Sequence, residues 1–308
     1  MAVRLAFIGQ RAFFEIDSLE EPADGVEPRF FDFRHGADPR PLREQLGAFD
    51  PDVVFVWRPE ILPHGFLHDS RAARIGYLTE PLPRPGDPNP HSDLTARLGY
   101  LELADPANFD RIISFDPLIV PTVERLMPVW RSFPIPVSDR MYVDAVPPAN
   151  DPPQITFTGR STEHRESFLG PAKHDFDVIH VVHGFFGSRL VDLLQGSDVL
   201  INLHNEPYTT FENRILHALA AGALVVTEPV SPTNGLTPGA DYVEVTTPWE
   251  LWELLNEISK QPDAFDAMRR SGRREAERFR ASRVFPALVR DVLADQAARS
   301  VPNASRSS

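Results

Sequence analysis

Short hydrophobic runs alternate with longer amphipathic stretches along most of the chain. The short runs are rich in Val, Ile, Leu and Phe and end at turn residues, as buried parallel strands do, and the longer stretches repeat apolar residues at helical spacing. In the first half this pattern predicts strands at 4–9, 29–33, 52–57, 74–79 and 111–115, with helices near 39–48, 92–103 and 119–130. Strands and helices in this alternation indicate βαβ units around a parallel sheet.

The same pattern restarts after a proline-rich stretch, residues 134–154. Further strands are predicted at 155–159, 177–182, 198–203, 223–228 and 241–245, with helices near 163–170, 187–195 and 210–221. The predicted fold class is therefore α/β, with two Rossmann-like doubly wound domains facing across a cleft. Ligands of such sheets bind at the carboxyl ends of the strands, so the loops after strands are where a site is expected.

The domain limits follow from these patterns. We predict an N-terminal domain at 1–140, a linker at 141–154 and a C-terminal domain at 155–280. The end of the chain is predicted to be helical at 247–261, 262–279 and 281–296, and the last helix has an apolar stripe that needs a packing partner. Residues 297–308 contain almost no apolar side chains and are predicted to be disordered.

Composition narrows the functional classes. The 308 residues are 42% hydrophobic, which is enough for two cores, and they include no cysteine, so disulfides, thiolate metal sites and a cysteine nucleophile are excluded. A formal net charge of −13 argues against nucleic acid as a partner, because binding to phosphate backbones requires clustered cations. No stretch approaches the roughly 20 apolar residues of a membrane span, and no signal peptide is evident. A soluble cytoplasmic protein is expected.

A dense set of polar residues lies between the predicted strand at 198–203 and the predicted helix at 210–221. Its members are His204, Asn205, Glu206, Thr209, Thr210, Glu212, Asn213 and Arg214. Thr209 or Thr210 can cap the helix, with Glu212 or Asn213 completing a capping box, and this purely structural explanation stays open. Arg214 favours a ligand instead, because a cation at a helix N-terminus opposes the dipole, whereas free amides beside an arginine suit a phosphate. The junction fits a diphosphate.

A second group follows the first strand of the second half. Gly159 allows a ligand to approach the backbone, and Arg160 and Arg165 leave the carboxyl end of a strand that should neighbour the strand before His204. The alternative explanation is that both arginines are solvated surface residues. Two such junctions at one sheet edge predict a shared anion site.

The order of these motifs resembles a known family. The run R-x-x-x-A-L-A-A-G-A-L-V-V-T-E at 214–228, followed by GLTPGADYVEVTTPWEL, resembles the donor-binding domain of GT-B glycosyltransferases, in the group 1 and spore-maturation-like branch. The sequence F-T-G-R at 157–160, with Arg165, is similar to that family's first C-domain strand and its basic residues. The resemblance covers about 152–280, and the N-terminal half agrees only in architecture.

The resemblance implies a hexosyltransferase-type reaction. A nucleoside-diphosphate sugar would be held by the second domain and an unidentified acceptor by the first, with retention of configuration and without a metal or other cofactor. Arg160, Arg165 and Arg214, with the amides around 209–213, would hold the diphosphate, and Glu212 or Glu206 would hold the sugar. The helix at 281–296 would pack back on the N-terminal domain.

One position departs from the family pattern. Many members carry two glutamates eight residues apart, the second of which binds the ribose of the donor. In this chain the corresponding positions are Thr209 and His217. A neutral imidazole makes fewer hydrogen bonds than a carboxylate and cannot accept from both ribose hydroxyls.

Three residues of the first half are candidates for the acceptor side. Gly9 follows the first strand, and Glu80 and His91 lie in a long polar loop after the fourth. The chain has no G-x-G-x-x-G fingerprint, P-loop, G-x-S-x-G elbow or metal-ligand spacing. Two other functions stay open: a sugar-nucleotide 2-epimerase on the same fold, which acts without an acceptor, and a non-catalytic protein that binds a nucleotide-sugar or a partner.

Overall fold

The computed structural model describes residues 2–205 and 208–300, without the side chains of residues 299 and 300. The described residues form two compact units: 2–133 together with 281–300, and 134–205 together with 208–280. Each unit is built on one parallel sheet, and together they confirm the predicted α/β class.

The first unit contains a six-stranded sheet with the order β2-β1-β3-β4-β5-β6. Its strands are β1 Val3–Gly9, β2 Val26–Asp32, β3 Val53–Trp57, β4 Ala73–Leu78, β5 Arg111–Ser114 and β6 Val129–Ser132. All neighbouring pairs are parallel. Its helices before the second unit are α1 Arg11–Phe14, α2 Arg40–Phe49, α3 Ser92–Leu101 and α4 Val120–Val123.

The predicted helix at 119–130 is wrong over its second half. Helix α4 ends at Val123, and Val129–Ser132 forms the edge strand β6. Residues 129–132 do not alternate between apolar and polar side chains, so the sequence does not identify a strand here. In the structure all four are half-buried.

The C-terminal helix, Ala281–Ser300, belongs to the first unit. Its Phe285 is completely buried, and its ring lies 4.7 Å from that of Phe7 and 5.3 Å from that of Phe55, edge-on in both cases. Trp57 closes this aromatic cluster and donates its indole hydrogen to Ser18 Oγ at 3.1 Å, so the cluster buries no unsatisfied donor. The helix continues through Ser300, past the predicted end at 296, and residues 301–308 lie outside the described part.

The second unit contains a five-stranded parallel sheet with the order β11-β10-β9-β7-β8. Its strands are β7 Ile155–Thr158, β8 Val178–Val181, β9 Val199–Asn202, β10 Leu224–Thr227 and β11 Val243–Glu244. Its helices are α5 Glu163–Asp175, α6 Ser188–Gln195, α7 Arg214–Ala220, α8 Pro248–Lys260 and α9 Asp266–Ala276. After β7 the chain adds β8 on one side and then returns to add β9 on the other, so the strand order reverses between β7 and β9.

The second unit begins at Pro134, earlier than the predicted linker at 141–154. Val137 is completely buried and donates its backbone hydrogen to Phe279 O at 2.9 Å. Tyr142 is buried as well, and its hydroxyl donates to Ala276 O at 2.8 Å. Residues around 134–143 are therefore packed against the end of α9.

Truncation of Phe285 tests the role of the C-terminal helix in the first core. In Phe285→Ala we expect the free energy of unfolding to fall by about 3–5 kcal/mol, because a fully buried aromatic ring is lost and a cavity is left beside Phe7 and Phe55. Urea unfolding followed by tryptophan fluorescence measures the change. The control is Arg290→Ala, an exposed position on the same helix. A loss below about 1 kcal/mol in Phe285→Ala would contradict this packing.

Candidate functional site

The reversal of strand order in the second unit brings two loops together. In an open parallel sheet, the loops on either side of such a reversal diverge and leave room for a ligand at the carboxyl ends of the strands. Here the loops follow β7 and β9. Arg160 Nε donates to Asn205 Oδ1 and Thr162 Oγ1 donates to Asn205 O, both at 2.8 Å. The two groups of polar residues predicted from sequence are thus in direct contact.

Arg165 connects these two loops through hydrogen bonds to their backbone carbonyl oxygens. Its side chain is only 2% exposed, and its Nε donates to the carbonyl oxygens of Leu203 and His204, both at 3.1 Å. Nη2 donates to Leu203 O and Nη1 to Arg160 O, both at 3.0 Å. Burial, followed by the nearby charge of Arg214, lowers the pKa of the Arg165 guanidinium to about 10. The group is still a cation at neutral pH, in surroundings that disfavour its charge.

Arg214 brings a second guanidinium to the same place. A Cβ atom placed on Gly159 would lie 3.0 Å from Arg165 Nη1 and 3.3 Å from Arg214 Nη1. Gly159 also has a φ of +149°, a backbone conformation that residues other than glycine rarely adopt. Glycine at this position therefore lets both cations approach the backbone at the end of β7.

Only part of the Arg214 charge is compensated within the described residues. Its Nη2 donates to Glu212 Oε2 at 3.0 Å, whereas its Nη1 is buried and has no hydrogen-bond partner in the part of the chain that the structure describes. A buried donor without an acceptor is costly, and a neighbouring cation increases that cost. An anion bound beside Gly159 would accept a hydrogen bond from Arg214 Nη1 and would offset the positive charge of the two guanidinium groups.

The predicted cap of the following helix is wrong. Helix α7 begins at Arg214, not at Thr210, and its N-cap residue Asn213 makes no side-chain capping bond. Thr209 and Thr210 therefore precede the helix, and Glu212 is not in its first turn. The chain uses a capping box elsewhere, at Thr247 and Glu250 of α8.

His217 lies inside α7, where it is buried. Asn213 Nδ2 and His217 Nε2 are 3.0 Å apart, so the two side chains are paired across one helical turn. Glu206, which was predicted beside them, lies outside the described residues.

Sequence reasoning missed two further residues of this site, Glu228 and His164. Glu228 follows β10 and is buried; its Oε1 lies 2.8 Å from His164 Nε2, and its Oε2 accepts from the backbone nitrogen of His204 at 2.7 Å. His204 in turn has its Nε2 2.9 Å from Pro229 O, while its buried Nδ1 has no hydrogen-bond partner among the described residues. A carboxylate directly after a central buried strand is the sequence signal that points to Glu228.

The three predicted acceptor-side residues lie in the first unit. Gly9 ends β1, and a Cβ placed there would lie 2.9 Å from Trp57 Cβ, so glycine is required for packing between β1 and β3. Glu80 lies between Arg97 Nε at 3.2 Å and Arg58 Nη1 at 3.6 Å. His91 caps α3 by accepting from the backbone nitrogen of Asp93 at 3.2 Å.

Across residues 2–205 and 208–300, the structure brings together no group of three or more His, Asp or Glu side chains that could hold a metal ion. Within the same ranges, no helix has the length and apolar content needed to cross a bilayer.

Comparison with known proteins agrees with this architecture. Residues 152–285 match the family described as glycosyl transferase-like, which covers most of the second unit. No curated protein sequence matches the chain significantly.

Several solved structures share the fold at low identity. The Anabaena protein HepE in complex with UDP and glucose is 10% identical, with a TM-score of 0.58, over 96% of this chain and 100% of that one. An alpha-glucosyltransferase in complex with UDP-glucose and DNA containing an abasic site is 12% identical, with a TM-score of 0.59, over 95% and 100%. Sucrose-phosphate synthase from Thermosynechococcus elongatus is 11% identical, with a TM-score of 0.53, over 95% and 100%. These similarities show that the chain has the GT-B fold.

Removal of the Glu228 carboxylate tests its structural role at the site. In Glu228→Ala, the backbone hydrogen of His204 loses its acceptor in a buried position, so we expect the free energy of unfolding to fall by about 1–3 kcal/mol. Urea unfolding measures this change, with Glu253→Ala as an exposed control that removes the same charge. Equal stability of the two variants would show that the Glu228 contacts contribute nothing.

Proposed function

We propose that the protein is a glycosyltransferase that moves a sugar from a nucleoside-diphosphate sugar to an acceptor. The observation that carries this proposal is the pair of guanidinium groups at Gly159, one of which has a buried donor, Arg214 Nη1, without a hydrogen-bond partner among the described residues. The glycosyl transferase-like match and the GT-B fold support the proposal, and the named relatives were solved with UDP or UDP-glucose in two of the three cases.

The diphosphate would lie beside Gly159. Arg214 Nη1 would donate to a phosphate oxygen, and Arg165 would add charge while holding the loops after β7 and β9 in place. Arg160 is exposed at the rim, where it can contact the outer face of the diphosphate. Because α7 has only seven residues and begins at Arg214, the phosphate would be held mainly by arginine side chains and not by the amides of a helix.

The sugar and nucleoside would occupy the rest of the pocket. Glu212, oriented by its contact with Arg214, would hold sugar hydroxyls, together with Glu206. The remaining donor-side residues under this proposal are His204, Asn205, Thr209, Thr210, Asn213 and His217. His217 stands where many members of the resembling family carry a carboxylate for the ribose, so the nucleoside would be held by fewer direct hydrogen bonds.

The reaction would depend on stabilisation of the leaving group. The bond between the anomeric carbon and the β-phosphate oxygen breaks, and the negative charge that develops on the phosphate is stabilised by Arg214 and Arg165. The acceptor oxygen forms the new bond to the anomeric carbon on the same face, and its proton passes to the departing phosphate. This route retains configuration and requires neither a metal nor a dedicated protein base.

We further propose that the transferred sugar is a hexose and that the protein belongs to the spore-maturation-like branch. The acceptor would be held near Gly9, Glu80 and His91 of the first unit, and the protein would be located in the cytoplasm.

Binding of nucleoside diphosphates tests the donor site. In calorimetric titrations with UDP, GDP, ADP and TDP, we expect one to bind selectively, and equally with and without magnesium. In Arg214→Ala, its affinity should fall by roughly 10–100-fold, because a hydrogen bond between charged groups contributes about 1.5–3 kcal/mol. Arg290→Ala removes the same charge from an exposed position outside the site and should bind as the parent protein does.

Two outcomes would contradict the proposal. Absence of binding by all four diphosphates would remove the donor-site assignment, and equal loss in Arg214→Ala and Arg290→Ala would reduce the effect to net charge. Incubation with the sugar donor of the selected nucleotide then separates the functions: transfer to an acceptor supports the proposal, whereas epimerisation of the donor alone would replace it.

A further inference from the structure

Two tryptophans form a flat surface on the outside of the second unit. The indole rings of Trp249 and Trp252, three residues apart on α8, are stacked with centroids 5.0 Å apart and planes inclined by 14°. Trp249 is 62% exposed. With Pro171, His174, Asp175 and Pro248 they line an open depression of about 520 Å³, which we term the tryptophan platform. Two stacked indoles that line one open depression form a contiguous exposed apolar surface, and such surfaces mark sites that contact a ligand or partner.

Trp252 is held by residues at the end of α5. Trp252 Nε1 donates to Asp175 Oδ2 at 2.6 Å, and the Trp252 ring lies 6.3 Å from that of Phe176. Trp249 stacks on this fixed ring. Since the hydrogen bond to Asp175 restrains the Trp252 ring, binding would cost less side-chain entropy than at two unrestrained indoles.

The polar groups beside the indoles define the ligand chemistry. Asp175 Oδ1 lies 2.8 Å from His174 Nδ1, and both carboxylate oxygens keep lone pairs that can accept further hydrogen bonds. The hydrogen bonds from His174 and Trp252 lower the pKa of the Asp175 carboxyl, so it is an ionised acceptor at neutral pH. The described residues that line the depression include no Arg or Lys, and the Asp175 carboxylate would repel an anionic ligand such as a phosphate.

The platform is separate from the arginine site. Arg165 lies in the first turn of α5 and Asp175 is its last residue, ten positions further along the helix. At 1.5 Å per residue, this is about 15 Å along the helix axis.

We infer that the tryptophan platform binds a neutral oligosaccharide, with a pyranose ring stacked on Trp249 and its hydroxyls donating to Asp175. A pyranose has an apolar C–H face for the indole and hydroxyl donors for the carboxylate. A polyproline helix offers an apolar surface but no N–H donor for Asp175. A quaternary ammonium ion favours a cage of several aromatic faces, whereas these two indoles are parallel and stacked on each other.

The inference is independent of the proposed donor site. It assigns a glycan contact outside the arginine cluster, at residues that the reaction proposed above does not use.

Titration with defined sugars tests the platform. The probes are maltohexaose, cellohexaose, mannohexaose and chitohexaose, and the readout is the indole N–H signals of the four tryptophans in two-dimensional NMR. We expect at least one hexasaccharide to shift the Trp249 and Trp252 signals and to leave those of Trp57 and Trp130 unchanged. In Trp249→Ala the affinity should fall by at least about tenfold, because the stacked aromatic contact with the sugar ring is lost.

The control is Tyr100→Ala, which removes a similarly exposed aromatic ring (58%) from the first unit and should not change sugar binding. Binding by none of the four hexasaccharides, or equal binding by Trp249→Ala, would overturn the inference. So would shifts of the two signals by decaproline or tetramethylammonium in place of the sugars. Nucleoside-diphosphate binding should be the same in Trp249→Ala and the parent protein, so failure here leaves the donor site untouched, and the reverse also holds.

Discussion

The buried guanidinium of Arg165 is the contact on which the organisation of the candidate site depends. It donates to carbonyl oxygens of Leu203 and His204 after β9 and to that of Arg160 after β7. These two loops lie on either side of the reversal in strand order, where the strands themselves impose no contact between them. Arg165 therefore fixes the loops to each other and at the same time introduces a positive charge that burial disfavours.

A second constraint follows from the first. Arg214 adds another guanidinium to the same edge of Gly159, and its ion pair with Glu212 leaves Nη1 without an acceptor in the described part of the chain. A buried guanidinium beside a second, half-buried one is unfavourable in the free protein and becomes favourable when an anion binds. This arrangement explains why a diphosphate is the ligand class that we propose, and why the leaving phosphate of a sugar donor is where catalysis would be concentrated.

The two sheets and the place of the candidate site could be predicted from the sequence, because buried parallel strands are recognisable as short hydrophobic runs. The reversal at β7 and β9 placed Gly159, Arg160 and Arg165 beside His204 and Asn205, as expected for residues that follow neighbouring strands. The start of α7 was predicted too early, since Thr209 and Thr210 resemble helix caps in sequence, while the structure begins the helix at Arg214.

Other features depend on tertiary contacts and leave no local signal. His164 lies in the first turn of α5 like any polar helical residue, and only the fold brings it to Glu228. The hydrogen bond from Trp252 to Asp175 is likewise a consequence of how α8 packs on the end of α5. Strand β6 was not predicted, because its residues do not alternate between apolar and polar side chains. All four are half-buried in the structure.

A crystal structure of the protein in complex with the nucleoside diphosphate that it binds selectively tests the phosphate site most directly. We expect the β-phosphate beside Gly159, with an oxygen within hydrogen-bonding distance of Arg214 Nη1 and with the contacts of Arg165 to residues 203 and 204 unchanged. A diphosphate bound elsewhere, with no phosphate near Gly159, would contradict this assignment.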